Sequence, residues 1–516
     1  MKGRQGQLVS PSANQGLIIM TPSTLDNSLL HAAHAVCRER GVRVWLVGGA
    51  VRDGMRGRPA HDWDLAVEHD AIALARATAN RLQGAVYVLD AEHDTARVIV
   101  GGVPIDFAGL RGHTLAADLI ARDFTINALA IDLDQPEQVI DVVNGLADVE
   151  AGLIRAIGEH SLTDDPIRLL RAVRQSAALA FVIDPQTARW IAQHAALIET
   201  ASAERVRDEL IKTLGQPGLA DNLLALEAFG LLARVLPEVT ALRGVEQSWP
   251  HHWDVFEHTR RVIDALELLG THWLGFDQAD DTASGREVIP AFGWDDVLFT
   301  LAQFADSLRA HLQVYQINAD RSIWNTLKWT ALLHDIGKPA TRAVAADGRV
   351  RFFGHEDVGA KLAAARLQAL KFSGDEINRV TGIIGGHMRP HLLAEAGVSR
   401  RAIYRFFRDT QDYGVDILLL SLADHLATHG PDLDQARWVA RLGFVSDMLT
   451  AYFVQRDEIV RPPPLMDGHD LMRALSLTPG KPIGVLLEAI REGQAAGEIT
   501  TKAEALTLAR SLMRQT

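Results

Sequence analysis

The chain of 516 residues contains one cysteine, Cys37. No intramolecular disulfide and no cysteine-based zinc site can form within it. A lone thiol suits a reducing compartment, so a cytoplasmic location is expected. Long apolar runs are also missing. No stretch reaches the roughly 18 consecutive apolar residues of a membrane span, so no membrane partner is expected. The opening MKGRQGQLVSPSANQGLIIM lacks a sustained apolar segment, which argues against a signal peptide. Lysine is scarce: it makes up eight of the 52 basic residues, and the rest are arginine. GC-rich coding explains much of that bias, although the planar guanidinium fork also suits phosphate. A formal charge of −13 excludes a uniformly basic coat for nucleic acid and leaves room for a local basic groove.

With 47% hydrophobic and 23% charged residues, the composition is that of globular protein, not a disordered chain, a fibre or a coiled coil. The length predicts about three to five domains. Residues 1–24 read as a loose tail. Leu25, Leu29, Ala33 and Cys37 share one helical face, and VRVWLV (42–47) reads as a strand ending at Gly48-Gly49. DWDLAVE (62–68) alternates as a strand, residues 70–83 read as a helix and AVYVLD as another strand. ARVIV-GG-VPIDFAG is a hairpin signal, with Gly101-Gly102 supplying positive φ. Beyond about residue 150 strand signals nearly vanish. Helical patterns follow at 163–180, 186–198, 204–214, 219–235 and 254–269, then over most of 296–450. The polar stretch 275–293 reads as a loop or insertion, and RPPPL (461–465) interrupts the last helical region.

The densest chemical signal is LVGGAVRDGMRGRPAHDWDLAVE (46–68). Glycines let a backbone approach a triphosphate closely, and helix N-terminal amides favour phosphate. Asp62 and Asp64, two apart on a strand, project to one face and can hold a pair of Mg²⁺ ions for in-line displacement. Asp-X-Asp alone is usually a solvated turn or strand edge; Gly48, Gly49 and Arg52 upstream point to a site instead.

These residues resemble the bacterial-type (class II) CCA tRNA nucleotidyltransferase and poly(A) polymerase family, whose pattern is LVGGxVRD followed by DxD. Further motifs of that family follow in order: Arg122-Asp123-Phe124-Thr125-Ile126-Asn127-Ala128; Asp141 to Asp148 with Leu153-Ile154-Arg155; Asp164-Asp165 with Arg168, Arg171 and Arg174; and Glu204-Arg205-Val206-Arg207-Asp208-Glu209. The Asp165/Arg168 pair also has a physical reading. Cytosine and adenine both present an amino donor beside a ring-nitrogen acceptor, and uracil and guanine the reverse. One carboxylate beside one guanidinium can therefore accept C and A and reject U and G. The blander reading is an amphipathic helix with a salt-bridged face.

The resemblance implies roles. Asp62 and Asp64 bind the catalytic Mg²⁺ ions. Gly48, Gly49 and Arg52 hold the triphosphate, Arg122 contacts the nucleotide, and Asn127 orders the pocket. Asp165 and Arg168 read the base, while Arg171 and Arg174 sit nearer sugar and phosphates. Asp106 is either a further site carboxylate or a structural strand residue. Ala121 replaces a second arginine found in many relatives, and Gln175 replaces a phenylalanine.

A second constellation is Trp329 to His334-Asp335-Ile-Gly-Lys338-Pro, with His258 upstream and His355, His387 and Asp424 downstream. Imidazole and carboxylate together suit Mn, Fe, Co, Ni or Zn. The order H…HD…D resembles the HD metal-dependent phosphohydrolases. That implies a metal site of His258, His334, Asp335 and Asp424, a second metal on His355 and His387, and phosphate contact by Lys338. His469-Asp470 lacks the surrounding pattern and reads as structural. The segment 466–510 resembles the C-terminal helical region of bacterial CCA-adding enzymes with an HD region.

The expected fold is α+β: a polymerase-β-like nucleotidyltransferase α/β head followed by an all-α neck, body, HD domain and tail. Expected boundaries are 1–24 (tail), 25–150 (head), 151–245 (neck and body), 246–435 (HD domain) and 436–516 (C-terminal helices). The expected activity is template-independent addition of CCA to tRNA from CTP and ATP, with an additional HD phosphohydrolase activity. The alternatives are a poly(A) polymerase, a CC-only or A-only enzyme, or an HD phosphohydrolase with a non-catalytic RNA-binding head. The sequence leaves the oligomeric state open.

Overall fold

The computed structural model describes residues 28–59, 62–274, 292–314 and 321–514. The expected tail 1–24 and most of the expected loop 275–293 lie outside these. The chain forms two units. The first comprises the described residues up to Arg168 together with Leu179–Ile191, and the second comprises Leu169–Ala178 and everything from Ala192. The first unit therefore reaches past residue 150.

The first unit is built on a seven-stranded sheet: β1 (Val44–Val47), β2 (Trp63–Val67), β3 (Ala85–Asp90), β4 (Thr95–Val100), β5 (Val103–Gly109), β6 (Leu129–Asp132) and β7 (Val139–Asp141). Their order is β3-β4-β5-β2-β1-β6-β7. Only the β2–β5 pair is parallel. β1 is apolar at every position because both its faces are buried. Val44 and Leu46 join the core with helices Ser28–Glu39 and Ala71–Leu82, while Trp45 and Val47 face a second cluster with Leu119, Ala128 and Ala130. The expected β4–β5 hairpin is present, with Gly101 and Gly102 at φ 57° and 88°. This is the two-residue turn that matches strand twist.

Two readings shift slightly. Asp62 immediately precedes β2, and the helix expected from 163 begins at Ile167. Asp165 therefore lies just before that helix instead of on its face. Pro166 sets the first turn, where a missing N–H costs nothing.

The second unit is helical. Among the described residues its only strands are the two-residue pair Ala343–Val344 and Val350–Arg351. The helix Gly414–His429 is apolar almost all round and buried from Gly414 to Thr428. A helix of that kind belongs at the centre of its core. Helices Val255–Leu274 and Ile323–Leu333 pack beside it. Gly337 follows Asp335 because a Cβ there would lie 2.1 Å from the carbonyl of His355. Past RPPPL, Leu471, Ile483, Leu486 and Ala505 form a separate small core. No helix among the described residues is long and apolar enough to cross a membrane.

Candidate active sites

In the first unit, antiparallel pairing places Val47 opposite Asp64, so the chain turns at Gly48 beside that carboxylate. Gly48 has φ 76°. A Cβ on it would stand 3.2 Å from Arg122 Nη1 and 3.4 Å from Asp64 Oδ2. Glycine is therefore required twice, by conformation and by space. Parallel pairing sets Asp106 directly beside Asp64. Asp106 accepts two hydrogen bonds from Arg97, both 2.7 Å. Burial, then the Asp106 and Asp62 carboxylates, push Asp64 up to about 6 against the pull of Arg122 and Arg97. Like charges crowded this way favour a proton, or a cation in its place. The carboxylate set and the glycine opening fit Mg²⁺, a hard cation that takes oxygen ligands.

The arginines around this turn are held in place. Arg52 donates to Asn127 Oδ1 at 2.7 Å and grips Asp53 through Nε and Nη2. Asn127 in turn donates to Asp123 at 2.9 Å. Arg122 is held through Nε and Nη2 by buried Asp118, which leaves Nη1 over Gly48. Arg168 lies 3.7 Å from Asp165. Its fork also donates to the carbonyls of Ala121, Arg122 and Ser161. It thus braces the segment that carries Arg122, a task its sequence spacing did not reveal. Within the second unit, Arg171 and Arg174 both pair with buried Glu209, at 3.2 and 2.6 Å. Glu209 belongs to the last motif quoted above, and its carboxylate organises the two arginines. Asp118 was not singled out from sequence, although Asp at i and Arg at i+4 is a helical pairing signal.

The second unit gathers the histidines. His258 lies on Val255–Leu274, His334 and Asp335 follow Ile323–Leu333, His355 opens His355–Ala369, His387 follows Gly374–Gly386, and Asp424 sits on Gly414–His429. All six are buried. The ligand atoms of His258, His334 and Asp424 lie within 4.8 Å of one another, as do those of Asp335, His355 and His387. Asp335 joins the two triads, 3.2 Å from His334 and 3.4 Å from His355. The His355 and His387 Nε2 atoms are 3.1 Å apart.

Burial pushes His387 down to about 3, helped by His334 and His355, so its ring is a neutral donor. Burial opposes ionisation of Asp335, but His334 and Lys338 outweigh it and hold the carboxyl well below its usual range. The Nε2 atoms of His258 and His334 are buried and have no hydrogen-bond partner of good geometry. Orphaned imidazole nitrogens aimed at anionic oxygen are the donor set of a transition-metal centre. Lys338 spans Asp335 and Gln247, at 2.7 Å each. A cavity of about 210 Å³, lined by Gln247, Trp249, His251, Arg349, Arg351 and Phe352, adjoins these residues. The spacing of histidines signalled the triads; nothing in the spacing signalled Gln247. His391, four residues after His387, also reaches the centre, with Nε2 3.0 Å from Asp424 Oδ2. The i,i+4 repeat in HMRPH was its only trace.

Residues 44–155 match the poly A polymerase head domain, 180–242 a probable RNA- and SrmB-binding site of polymerase A, and 296–429 the HD domain. An A-adding tRNA nucleotidyltransferase of Deinococcus radiodurans is 35% identical over 89% of this chain and 93% of its own. A CC-adding tRNA nucleotidyltransferase of Thermus thermophilus is 33% identical over 89% and 91%. The fold is shared with a Thermotoga maritima CCA-adding enzyme solved in complex with tRNA (20% identity, TM-score 0.57, 95% of this chain and 97% of that one). It is shared also with a CCA-adding enzyme solved with ATP (20%, TM-score 0.60, 96% of each chain). With a glycine turn set against paired carboxylates in one unit and a histidine–aspartate cluster in the other, and with that identity over nine-tenths of its length, the chain belongs to the tRNA nucleotidyltransferase and poly(A) polymerase family and carries an HD domain.

Proposed function

We propose that the chain adds C and A to the 3′ end of tRNA, using CTP and ATP without a nucleic-acid template. The observation that carries this reading is the placement of Asp64 beside Asp106, Gly48 and the free edge of Arg122. Asp62 and Asp64, with Asp106 alongside, would hold Mg²⁺, whose charge stabilises the attacking and leaving oxygens. The backbone at Gly48-Gly49 admits the triphosphate, and Arg52 and Arg122 supply its counter-charge. Asp165 accepts from, and Arg168 donates to, the shared pairing edge of C and A. Arg171 and Arg174 remain nucleotide contacts by motif. The terminal 3′-hydroxyl attacks the α-phosphorus, the α–β bridge bond breaks and pyrophosphate leaves. The chain's own contribution is positioning and charge.

A second reading, addition of CC alone or A alone, is favoured by one observation. Four curated relatives matched in sequence over about nine-tenths of the chain are named A-adding or CC-adding enzymes, whereas two named CCA-adding enzymes are matched in sequence over 35% of it. One assay separates the readings: tRNAs ending before CCA, after C and after CC, each given CTP, ATP or both. Full CCA on the first primer supports the first reading. A added only to the CC-ended primer, or CC and nothing further on the first, supports the second. Incorporation of neither nucleotide overturns both, and a long A tail indicates a poly(A) polymerase.

For the helical unit we propose a metal-dependent phosphohydrolase centre on His258, His334, Asp335, Asp424, His355 and His387. A transition metal (Mn, Ni, Co, Fe or Zn) would supply Lewis-acid activation of phosphate and water there, and Lys338 would face the phosphate. Hydrolysis of p-nitrophenyl phosphate after chelation and re-addition of each metal tests it. No hydrolysis with any of them overturns it.

A further inference from the structure

We propose that His391, oriented by Arg441, is a positioning residue that fixes the Asp424 carboxylate for metal binding; this rests on reading the buried histidine–aspartate cluster as a metal centre. Three helices supply the parts: Arg389–Ala396 carries His391, Gly414–His429 carries Asp424, and Gln435–Phe453 carries Arg441. Arg441 Nη2 lies 2.8 Å from His391 Nδ1. A guanidinium can only donate, so Nδ1 must be the acceptor. The ring proton therefore sits on Nε2, which lies 3.0 Å from Asp424 Oδ2. Arg441 thus sets the tautomer without touching the carboxylate. Arg441 is itself buried, at 8% exposure, and His391 is half-buried.

The consequence for Asp424 is an asymmetric carboxylate. Oδ2 is occupied by His391. Oδ1 lies 3.1 Å from His258 Nε2, with the Thr428 hydroxyl 3.4 Å away. Oδ1 is the oxygen that faces His258. His391 is a hydrogen-bond donor to a ligand, not a ligand, because its Nε2 lone pair is used by the proton. Partners of this kind orient metal-binding carboxylates, and their loss typically weakens binding by roughly 10- to 100-fold.

The test is calorimetric titration of metal-free protein with Mn²⁺ or Ni²⁺ alone, with circular dichroism to verify that each variant is folded. His391→Phe should weaken binding by roughly 10- to 100-fold with unchanged stoichiometry. His391→Gln, which offers an N–H toward Asp424 and an oxygen toward Arg441, should restore most of the loss. Arg441→Met, which frees the tautomer, should fall between wild type and His391→Phe, and it carries the test if His391→Phe does not fold. Wild-type affinity in both His391→Phe and Arg441→Met overturns this inference alone. A wild-type protein that takes up neither ion overturns the metal reading and this inference with it.

Discussion

Asp64 is where charge crowding becomes chemistry. Its carboxyl stands at about 6 instead of the ordinary 3.8, through burial and then Asp106. The folded protein therefore holds this proton more tightly than the unfolded chain does. The sign follows: Asp64 costs no stability below about pH 4, and its contribution turns unfavourable as pH rises through 6. Magnesium needs the anion, so binding must displace the proton at low pH. The half-saturating Mg²⁺ concentration for nucleotide addition should rise as pH falls below 6, by up to about tenfold per unit, as read from Mg²⁺ titrations at fixed pH values. A flat response from pH 7 to 5 would contradict this. Asp64→Asn should abolish addition and leave any metal-dependent phosphate hydrolysis by the helical unit at its original rate, as measured on one preparation with both assays. Addition surviving that change would show that the site lies elsewhere.

Elements explain why some of this was legible beforehand. Strand β1 announced itself as VWLV because both its faces are buried, and the β4–β5 hairpin announced itself through Gly101-Gly102. Gly48, Gly49, Arg52, Asp62 and Asp64 were legible because the connection between two paired strands, which includes the helix Gly49–Met55, gathers them into one sequence window, 48–64. Asp106 was ambiguous for the opposite reason. Its closeness to Asp64 depends on a parallel pairing of β2 with β5, and register across a sheet is not written in local spacing. The candidate triads were legible as an ordered set of His and HD motifs, five of whose six residues lie at or near a helix end, Asp424 alone sitting within Gly414–His429. His391 and Arg441 were not, since their meaning lies in a contact between helices fifty residues apart. The β1–helix turn gives an element-scale prediction. Gly48→Ala meets both an unfavourable φ and the Arg122 guanidinium, so it should cost about 1 kcal/mol or more of stability. Addition activity should fall further than the melting temperature suggests if, as proposed, this turn admits the triphosphate, because the new methyl would stand between Arg122 and Asp64. Unchanged Michaelis constants for CTP and ATP in this variant would remove the glycine turn from the site.

At the scale of the whole molecule, a formal charge of −13 opposes approach to RNA. The arginines of the motifs are fixed in pairs, Arg52 on Asn127 and Asp53, Arg122 on Asp118, and Arg171 and Arg174 on Glu209. If these ordered arginines meet tRNA phosphate, binding should show marked salt dependence. Affinity should fall at least about tenfold between 50 and 200 mM monovalent salt in a filter-binding titration. Salt-insensitive binding would mean that contacts other than phosphate dominate.

The buried helix Gly414–His429 has two tasks in the proposed reading. It carries Asp424 and forms the middle of the second unit's core, so one rod is both scaffold and ligand. An ion held there binds the native form and not the unfolded one, which makes occupancy a thermodynamic load on folding itself. At a free metal concentration 100 times the dissociation constant, that load adds about 2.7 kcal/mol to native stability. Stripping the protein with a chelator should therefore lower its melting temperature by several degrees, and re-addition of the right ion should restore it. The cell's metal supply would then set how long the helical unit stays folded.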